Sequence, residues 1–312
     1  MGCSVKRALL LVSTCLLALV AHARTFYVIV AGLGGEPEYE QRFAAAANDL
    51  DRIFKSAGAT ARVYTLVGAE ATAARFRDTM NTVEREAKAD DDFALILIGH
   101  GSFDGVEYKF ELLGPDLTAA EIAAMCDRVP SHRQLIVDTT SASGGAIEAL
   151  EKPGRAVIAA TKSGTEKNAT VFARYWVDAF EDPSADTDKS DSVSAMEAFL
   201  YASQKTAAFY DAEKRLATEH AVFNDAGHGE PVREPGNGQG MLLSNFTLLR
   251  LGAGQFAAND PAKRALLDKK EELEQKIDIL KYRKAAMDPS DYKKQLTDAL
   301  VELSKVQEKL DQ

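Results

Sequence analysis

The first half of the chain repeats uniformly apolar runs, each of which ends in glycine or in small polar residues. These runs occupy 25–32, 93–101, 133–140 and 155–162. The run ARVYTLV, 61–67, predicts a further strand. Apolar side chains recur at helical spacing before and after it, over 39–56 and 70–88. Strands that are apolar on both faces are typical of parallel sheets covered by helices on either side. The pattern therefore predicts a three-layer α/β domain with a mostly parallel sheet.

The pattern changes after about residue 180. Polar, Gly/Pro-rich segments flank a predicted helix over 192–218, and the run MLLSNFTLLRLG, 241–252, predicts a last strand. Between two of the apolar runs, the alternating segment 106–114 predicts a small surface hairpin. We assign 24–258 to one domain.

The tail, 259–312, is charged and carries an apolar stripe that a helix would place on one face. The stripe consists of Leu266, Leu273, Ile277, Leu280, Leu296, Leu300, Leu303 and Leu310. The sequence Asp288-Pro289-Ser290 interrupts it. The tail therefore predicts an antiparallel α-helical hairpin, which either packs on the domain or protrudes to bind a protein partner.

The first 23 residues have the features of a secretory signal peptide. Lys6 and Arg7 precede an apolar stretch that is too short to span a bilayer, and Ala21-His22-Ala23 forms an A-x-A cleavage site. Cleavage after Ala23 makes Arg24 the first residue of an exported protein, periplasmic or secreted, without stable membrane insertion.

Charge and cysteine content exclude several classes of function. Loss of two cations with the signal changes the net charge from −10 to −12, which argues against nucleic acid and anionic lipid as partners. Cys126 is then the one cysteine left, so the mature monomer has no internal disulfide and no cysteine metal cluster.

Two of the apolar runs end in side chains that carry chemistry. His100 follows one run, and the hydroxyl-rich segment 139–143 follows the next. Ligands of open parallel sheets gather at the carboxyl ends of the strands, so these two stretches are expected to face one another.

The motifs at these strand ends resemble those of the legumain-type (C13) cysteine peptidases, which have a caspase-like fold. The segment His100-Gly101-Ser102 is similar to the family's H-G-S motif, and 141–144, Ser-Ala-Ser-Gly, occupies its C-x-S-G motif. The resemblance covers about 25–250 and implies a peptidase that acts on peptide or protein substrates. It also implies that Glu166 lies near the substrate pocket. The departure is Ser141, which stands where the family has its nucleophilic cysteine.

Three interpretations of the protein's function remain open. In the first, His100 acts as base for a Ser141 nucleophile, and the turn at Gly101, Ser143 and Gly144 stabilises an oxyanion. In the second, the protein is a catalytically silent pseudopeptidase that binds or assembles through its cleft and its hairpin. In the third, the segment AGLGGE, 31–36, binds a nucleotide, but it lacks the third glycine and the lysine of such motifs.

A second motif, DTDKSDSVSAME, has the spacing of an EF-hand calcium loop. Its candidate ligands are Asp186, Asp188, Ser190, Ser192 and Glu197. Asp191 stands at the sixth position, where such loops need glycine, and the alternative is a solvated acidic loop before a helix. No other cofactor is required by the sequence.

Overall fold

The structure, a computed structural model, describes residues 23–236, 238–252, 260–284 and 287–311. The predicted signal segment, apart from Ala23, lies outside the described residues. The strands are β1 Thr25–Ala31, β2 Ala61–Leu66, β3 Asp92–Ile98, β4 Gly101–Phe103, β5 Tyr108–Phe110, β6 Leu117–Thr118, β7 Arg133–Asp138, β8 Arg155–Ala159, β9 Ser192–Ser194, β10 Val222–Asn224 and β11 Thr247–Arg250.

Helices alternate with these strands along the chain. They are α1 Pro37–Lys55, α2 Ala73–Glu86, α3 Ala119–Arg128, α4 Ile147–Leu150, α5 Phe172–Asp178, α6 Ala195–Ala212, α7 Met241–Ser244, α8 Pro261–Arg283 and α9 Pro289–Leu310. Local sequence sets their starts: a proline begins α1, and reciprocal Ser/Thr–Glu capping boxes begin α3 and α6.

The central sheet has the order β10-β8-β7-β3-β1-β2. Its strands are parallel except β10, which runs antiparallel to β8. One face packs on α1, α5 and α6, and the other packs on α2, α3 and α4. Each strand supplies both cores, as Ile96 and Leu95 of β3 illustrate. The predicted three-layer α/β fold with a mostly parallel sheet is confirmed.

The helix predicted over 192–218 is shorter in the structure, where α6 spans Ala195–Ala212 and β9 occupies Ser192–Ser194. The structure also differs from the sequence prediction in two short segments. Residues 241–252, predicted as one strand, form α7 and then β11, which pairs with β9 in a separate two-stranded sheet. The predicted hairpin 106–114 contributes only β5, the middle strand of a three-stranded sheet with β4 and β6. Both segments are too short for hydrophobic periodicity to define them.

The predicted antiparallel helical hairpin is confirmed as α8 and α9. The Lys263 ammonium at the start of α8 donates to the Leu310 carbonyl at the end of α9. The helices bury Leu273, Ile277 and Leu280 of α8 with Ala299 and Val306 of α9. Leu300, which the sequence analysis assigned to the apolar stripe, is 47% exposed. The buried face of α9 contains the preceding residue, Ala299, and Leu300 lies outside that face.

The hairpin packs on the α/β domain through α8. The Arg250 guanidinium at the end of β11 makes a double ion pair with Glu271 at 2.6 and 2.9 Å, and Lys270 donates to the Ser190 carbonyl. Within the described residues, none of the helices combines the length and apolarity needed to cross a membrane.

Candidate functional site

The candidate site lies at the carboxyl end of the central sheet, where β3 and β7 are neighbours. Leu97 of β3 stands opposite Asp138 of β7, and Thr139 N–H donates to the Leu97 carbonyl at 2.9 Å. The register of the two strands therefore places the residues after β3 and the residues after β7 at the same edge of the central sheet. His100 follows the first strand and Ser141 follows the second.

The Ser141 hydroxyl is bonded to the backbone that follows His100. Its Oγ donates to the Gly101 carbonyl oxygen at 3.0 Å and accepts from Gly101 N–H at 3.2 Å. The side chain is buried, with 3% of the residue exposed. The hydroxyl thus joins the ends of the two strands.

The His100 ring packs on α1. It makes edge contacts with the rings of Tyr39 and Phe43, with centroids at 4.8 and 5.1 Å. Both side chains of the predicted dyad belong to the described part of the chain, and no hydrogen bond joins the imidazole to Ser141. Standard peptide geometry, with the Gly101 N–H bond, places Ser141 Oγ within about 5.6 Å of His100 Cα. The two residues are neighbours whose side chains are not engaged.

Gly101 is required by this close approach. A Cβ atom there would lie 2.5 Å from the Ser141 carbonyl oxygen and 2.6 Å from Thr140 Oγ1. Any larger residue would push the two strand ends apart.

The other predicted turn residues bond to a neighbouring strand end. Gly144 N–H donates to Thr161 Oγ1 at 2.9 Å, and the Ser143 hydroxyl accepts from Thr161 N–H at 3.1 Å. Of the predicted oxyanion donors, Gly101 N–H is therefore directed at Ser141, whereas Gly144 N–H is directed at Thr161. Ala142, between them, has a φ of 57°, the left-handed conformation that is unusual for alanine.

A buried polar cluster lies beneath Ser141. Asp138 Oδ1 accepts from the N–H of Thr140 at 3.1 Å and from its hydroxyl at 2.7 Å. The Tyr108 hydroxyl lies 2.7 Å from the same threonine oxygen. Asp138 Oδ2 is buried without a partner, and burial raises the pKa of Asp138 to about 6. Asp138 thus contacts the turn and not His100.

Glu166, the predicted pocket residue, is held by His220. Glu166 Oε1 lies 2.5 Å from His220 Nδ1, and Oε2 accepts from the backbone N–H groups of His220 and Lys162. The Glu166 carbonyl accepts from Ala142 N–H at 2.8 Å, so this pair supports the Ser141 turn from behind. The role of His220 has no sequence signal, because 54 residues separate it from Glu166.

A cavity of about 430 Å³ opens beside the site, between α1 and α5. Its apolar wall includes Phe43, Ile98, Val177 and Phe209, and Arg42 and Arg174 stand at its charged rim. Thr139 and Gly99 form its floor, so it reaches the same sheet edge as Ser141. Phe43 contacts both the cavity and the His100 ring.

The predicted calcium ligands are brought partly together. One oxygen each from Asp186, Asp188 and Glu197 lies within 4.8 Å of the others. The Ser190 and Ser192 hydroxyls lie 2.9 Å apart and bond to each other. The Glu197 oxygens also accept hydrogen bonds from Thr187 and Ser194, in part as the N-terminal cap of α6.

The backbone at the sixth position of this loop has the conformation that favours glycine, although the residue there is Asp191. Asp191 has a φ of 62° and Lys189 a φ of 60°, the left-handed conformation that glycine adopts without strain. The Asp186 carboxylate accepts from the N–H groups of Ser190 and Asp191. The loop is therefore held by its own hydrogen bonds.

Cys126 lies near the start of β7, where its carbonyl accepts from the Gln134 side chain, whereas Ser141 follows the end of that strand. Cys126 is fully buried in the core with α2 and α3, and burial raises the pKa of its thiol to about 12. A thiol with that pKa stays protonated at neutral pH and is not a nucleophile.

Neither a protein-family model nor a curated protein sequence matches the chain. Among solved structures, the chain is similar to a protein of Geobacter sulfurreducens, with a TM-score of 0.45 and 12% identity, over 66% of this chain and 95% of that one. It is also similar to the Drosophila initiator caspase Dronc, with a TM-score of 0.42 and 11% identity, over 67% and 82% of the two chains. Both are similarities of fold at low identity.

Proposed function

We propose that the chain is an exported, catalytically silent relative of the legumain-type peptidases that serves as a protein-binding module. The observation that carries the proposal is the pair of hydrogen bonds made by the Ser141 hydroxyl. The hydroxyl donates to Gly101 carbonyl and accepts from Gly101 N–H, so it holds two strand ends together. A serine nucleophile instead needs to donate its proton to a base, and the imidazole of His100 packs on Tyr39 and Phe43.

A second candidate is an active peptidase with His100 as base and Ser141 as nucleophile. It is favoured by one observation, the direction of Gly101 N–H toward Ser141 Oγ. In an acyl transfer this N–H would release the Ser141 oxygen and donate to the oxyanion formed beside it. Activity would require the His100 ring to leave Tyr39 and turn toward Ser141.

The two candidates differ in their response to a serine-reactive phosphonate probe. We expect residues 24–312 to show neither labelling nor cleavage of a peptide library. The variant Ser141→Cys should gain cleavage activity, because a thiol needs less help from a base than a hydroxyl does. Labelling of the unaltered chain that disappears in both Ser141→Ala and His100→Ala, but persists in the exposed control Ser102→Ala, would establish the active peptidase instead.

The proposed ligand is an extended peptide segment of a protein partner, bound in the cavity between α1 and α5. The cavity offers apolar walls for a side chain and charged groups of both signs at its rim, Arg42 and Glu38 among them. The hairpin of α8 and α9 provides a separate helical surface for assembly with a protein partner.

A cavity-filling substitution tests this binding. Ala173 lines the cavity, so Ala173→Trp should block it, whereas Leu216→Trp places the same ring at a residue that is 91% exposed. We expect peptides retained from a random library by the unaltered chain and by Leu216→Trp to be lost from Ala173→Trp. Equal retention by all three proteins, or retention by none, would contradict the proposed cleft.

A further inference from the structure

Arg24 is anchored at the edge of the fold through both its backbone and its guanidinium. Its backbone N–H donates to Asp91 Oδ1 at 2.8 Å, and its guanidinium donates to Asp91 Oδ2 at 2.9 Å and to the Glu86 carbonyl at 2.7 Å. Its carbonyl accepts from Asp92 N–H at 2.8 Å. The guanidinium also lies 4.8 Å above the Phe26 ring. Arg24 is thus held by both its backbone and its side chain.

Asp91 is an acceptor that is almost closed to solvent. Its side chain is 4% exposed, and it also accepts from Lys88 N–H at 2.9 Å. Burial raises the pKa of Asp91, but the hydrogen bonds from Arg24 and Lys88 outweigh burial and lower it overall. The carboxylate is therefore ionised and directed at the Arg24 nitrogen. Ala23, by contrast, is exposed.

We propose that hydrolysis of the Ala23–Arg24 peptide bond creates an α-ammonium group on Arg24 that forms an ion pair with Asp91 and locks the mature N-terminus into the fold. Water adds across the bond, leaving a carboxylate on Ala23 and the ammonium on Arg24. The proposal rests on the proposed export and is independent of any peptidase activity of the chain itself.

The physical gain comes from the change of the donor. In the unprocessed chain the Arg24 nitrogen is a neutral amide with one proton, already 2.8 Å from Asp91. After hydrolysis the same atom has three protons and a positive charge, and charge-assisted bonds of this kind are roughly twice as strong as neutral ones. Other charged residues of this edge are Asp90, Lys88 and Asp92, and Asp92 is paired with Arg133 at 2.7 Å.

The test compares two forms of residues 24–312. One is released from a fusion so that Arg24 is the first residue with a free α-amine, and the other is acetylated at that amine. We expect the free amine to raise the melting temperature by about 2–4 °C. The difference should disappear in Asp91→Asn and persist in the matched variant Asp90→Asn, whose side chain is exposed. Equal melting temperatures of the two forms, or a difference that survives Asp91→Asn, would overturn the ion pair.

A second measurement needs no substitution and so covers the case in which Asp91→Asn fails to fold. The α-amine of the folded chain should react with an acylating reagent about tenfold more slowly than in denaturant, because a carboxylate partner keeps it protonated. Equal rates in both states would overturn the ion pair.

The processing step is tested separately on the exported protein. Its intact mass should correspond to a chain that begins at Arg24. A different first residue would contradict cleavage at this bond, and an uncleaved chain would contradict the proposed export signal as well. The melting experiment on the released chain tests the ion pair alone.

Discussion

Ser141 and Gly101 form a two-way hydrogen-bonded contact, in which the serine hydroxyl donates to the glycine carbonyl at 3.0 Å and accepts from the glycine N–H at 3.2 Å. The contact lies between residues 40 positions apart in the chain, at the ends of neighbouring parallel strands. It gives Ser141, the candidate nucleophile of the sequence analysis, a structural role. A hydroxyl fits this role because it both donates and accepts, whereas a thiol does both only weakly.

Replacement of Ser141 by alanine should therefore cost stability. The substitution leaves the buried N–H and carbonyl of Gly101 without their side-chain partner, for which we expect a loss of about 1–3 kcal/mol in the free energy of unfolding. Urea denaturation measures it. The matched control Ser102→Ala changes an exposed hydroxyl and should stay within about 0.5 kcal/mol of the unaltered chain. Equal stability of all three proteins would mean that the contact with Gly101 contributes nothing.

Asp138 should make stability depend on pH between about 4 and 6. Burial raises its pKa from an ordinary value of 3.8 to about 6, so the folded chain binds a proton more tightly than the unfolded chain does. By linkage, this stability is present below about pH 4 and is lost as the pH rises through about 6, with a total change of about 3 kcal/mol.

Comparison of Asp138→Asn with the unaltered chain isolates this contribution. The difference between their free energies of unfolding, measured by urea denaturation at several pH values, should shift in favour of the variant as the pH rises from about 4 to about 7. Asp90→Asn, which removes a carboxylate at an exposed position, is the control. A difference that is constant over this range would show that Asp138 has the same pKa in both states.

The sheet was predictable because its strands are buried on both faces. Residues such as Ile96 and Leu95 pack on opposite layers, so the strand is an uninterrupted apolar run, as parallel strands between two helical layers require. Strand register then brings the chain after β3 next to the chain after β7. The closeness of His100 to Ser141 therefore follows from the fold alone.

Side-chain direction at the site was not predictable in the same way. The orientation of the His100 ring depends on Tyr39 and Phe43, which lie on a helix about 60 residues earlier, and no periodicity links them. The pairing of Glu166 with His220 depends on two loops 54 residues apart. Contacts of this kind are set by how elements pack against one another, which a single sequence does not specify.

The calcium prediction made from the sequence has a direct test in thermal stability. Three carboxylates converge within 4.8 Å, but Glu197 already caps a helix and accepts from Thr187. We therefore expect weak binding, visible as a rise in melting temperature in millimolar calcium that chelator reverses. In Asp188→Asn, an exposed ligand position whose loss spares the helix cap, the calcium response should be reduced. If neither calcium nor chelator changed the melting temperature, the segment would be a solvated acidic loop that does not bind calcium.

The attachment of the helical hairpin should depend on Arg250. Its guanidinium, 19% exposed, forms a double ion pair with Glu271 of α8 and lies 3.3 Å from Asp268. The pair is partly buried, so loss of the guanidinium leaves the Glu271 carboxylate partly solvated, and we expect Arg250→Ala to weaken the packing of α8 by about 1–2 kcal/mol. Limited proteolysis should then cut within α8 faster than in the unaltered chain. Lys281→Ala, an exposed pair within the same helix, is the matched control and should leave the rate unchanged. If both variants were cut at the unaltered rate, apolar contacts of α8 alone would suffice to hold the hairpin on the domain.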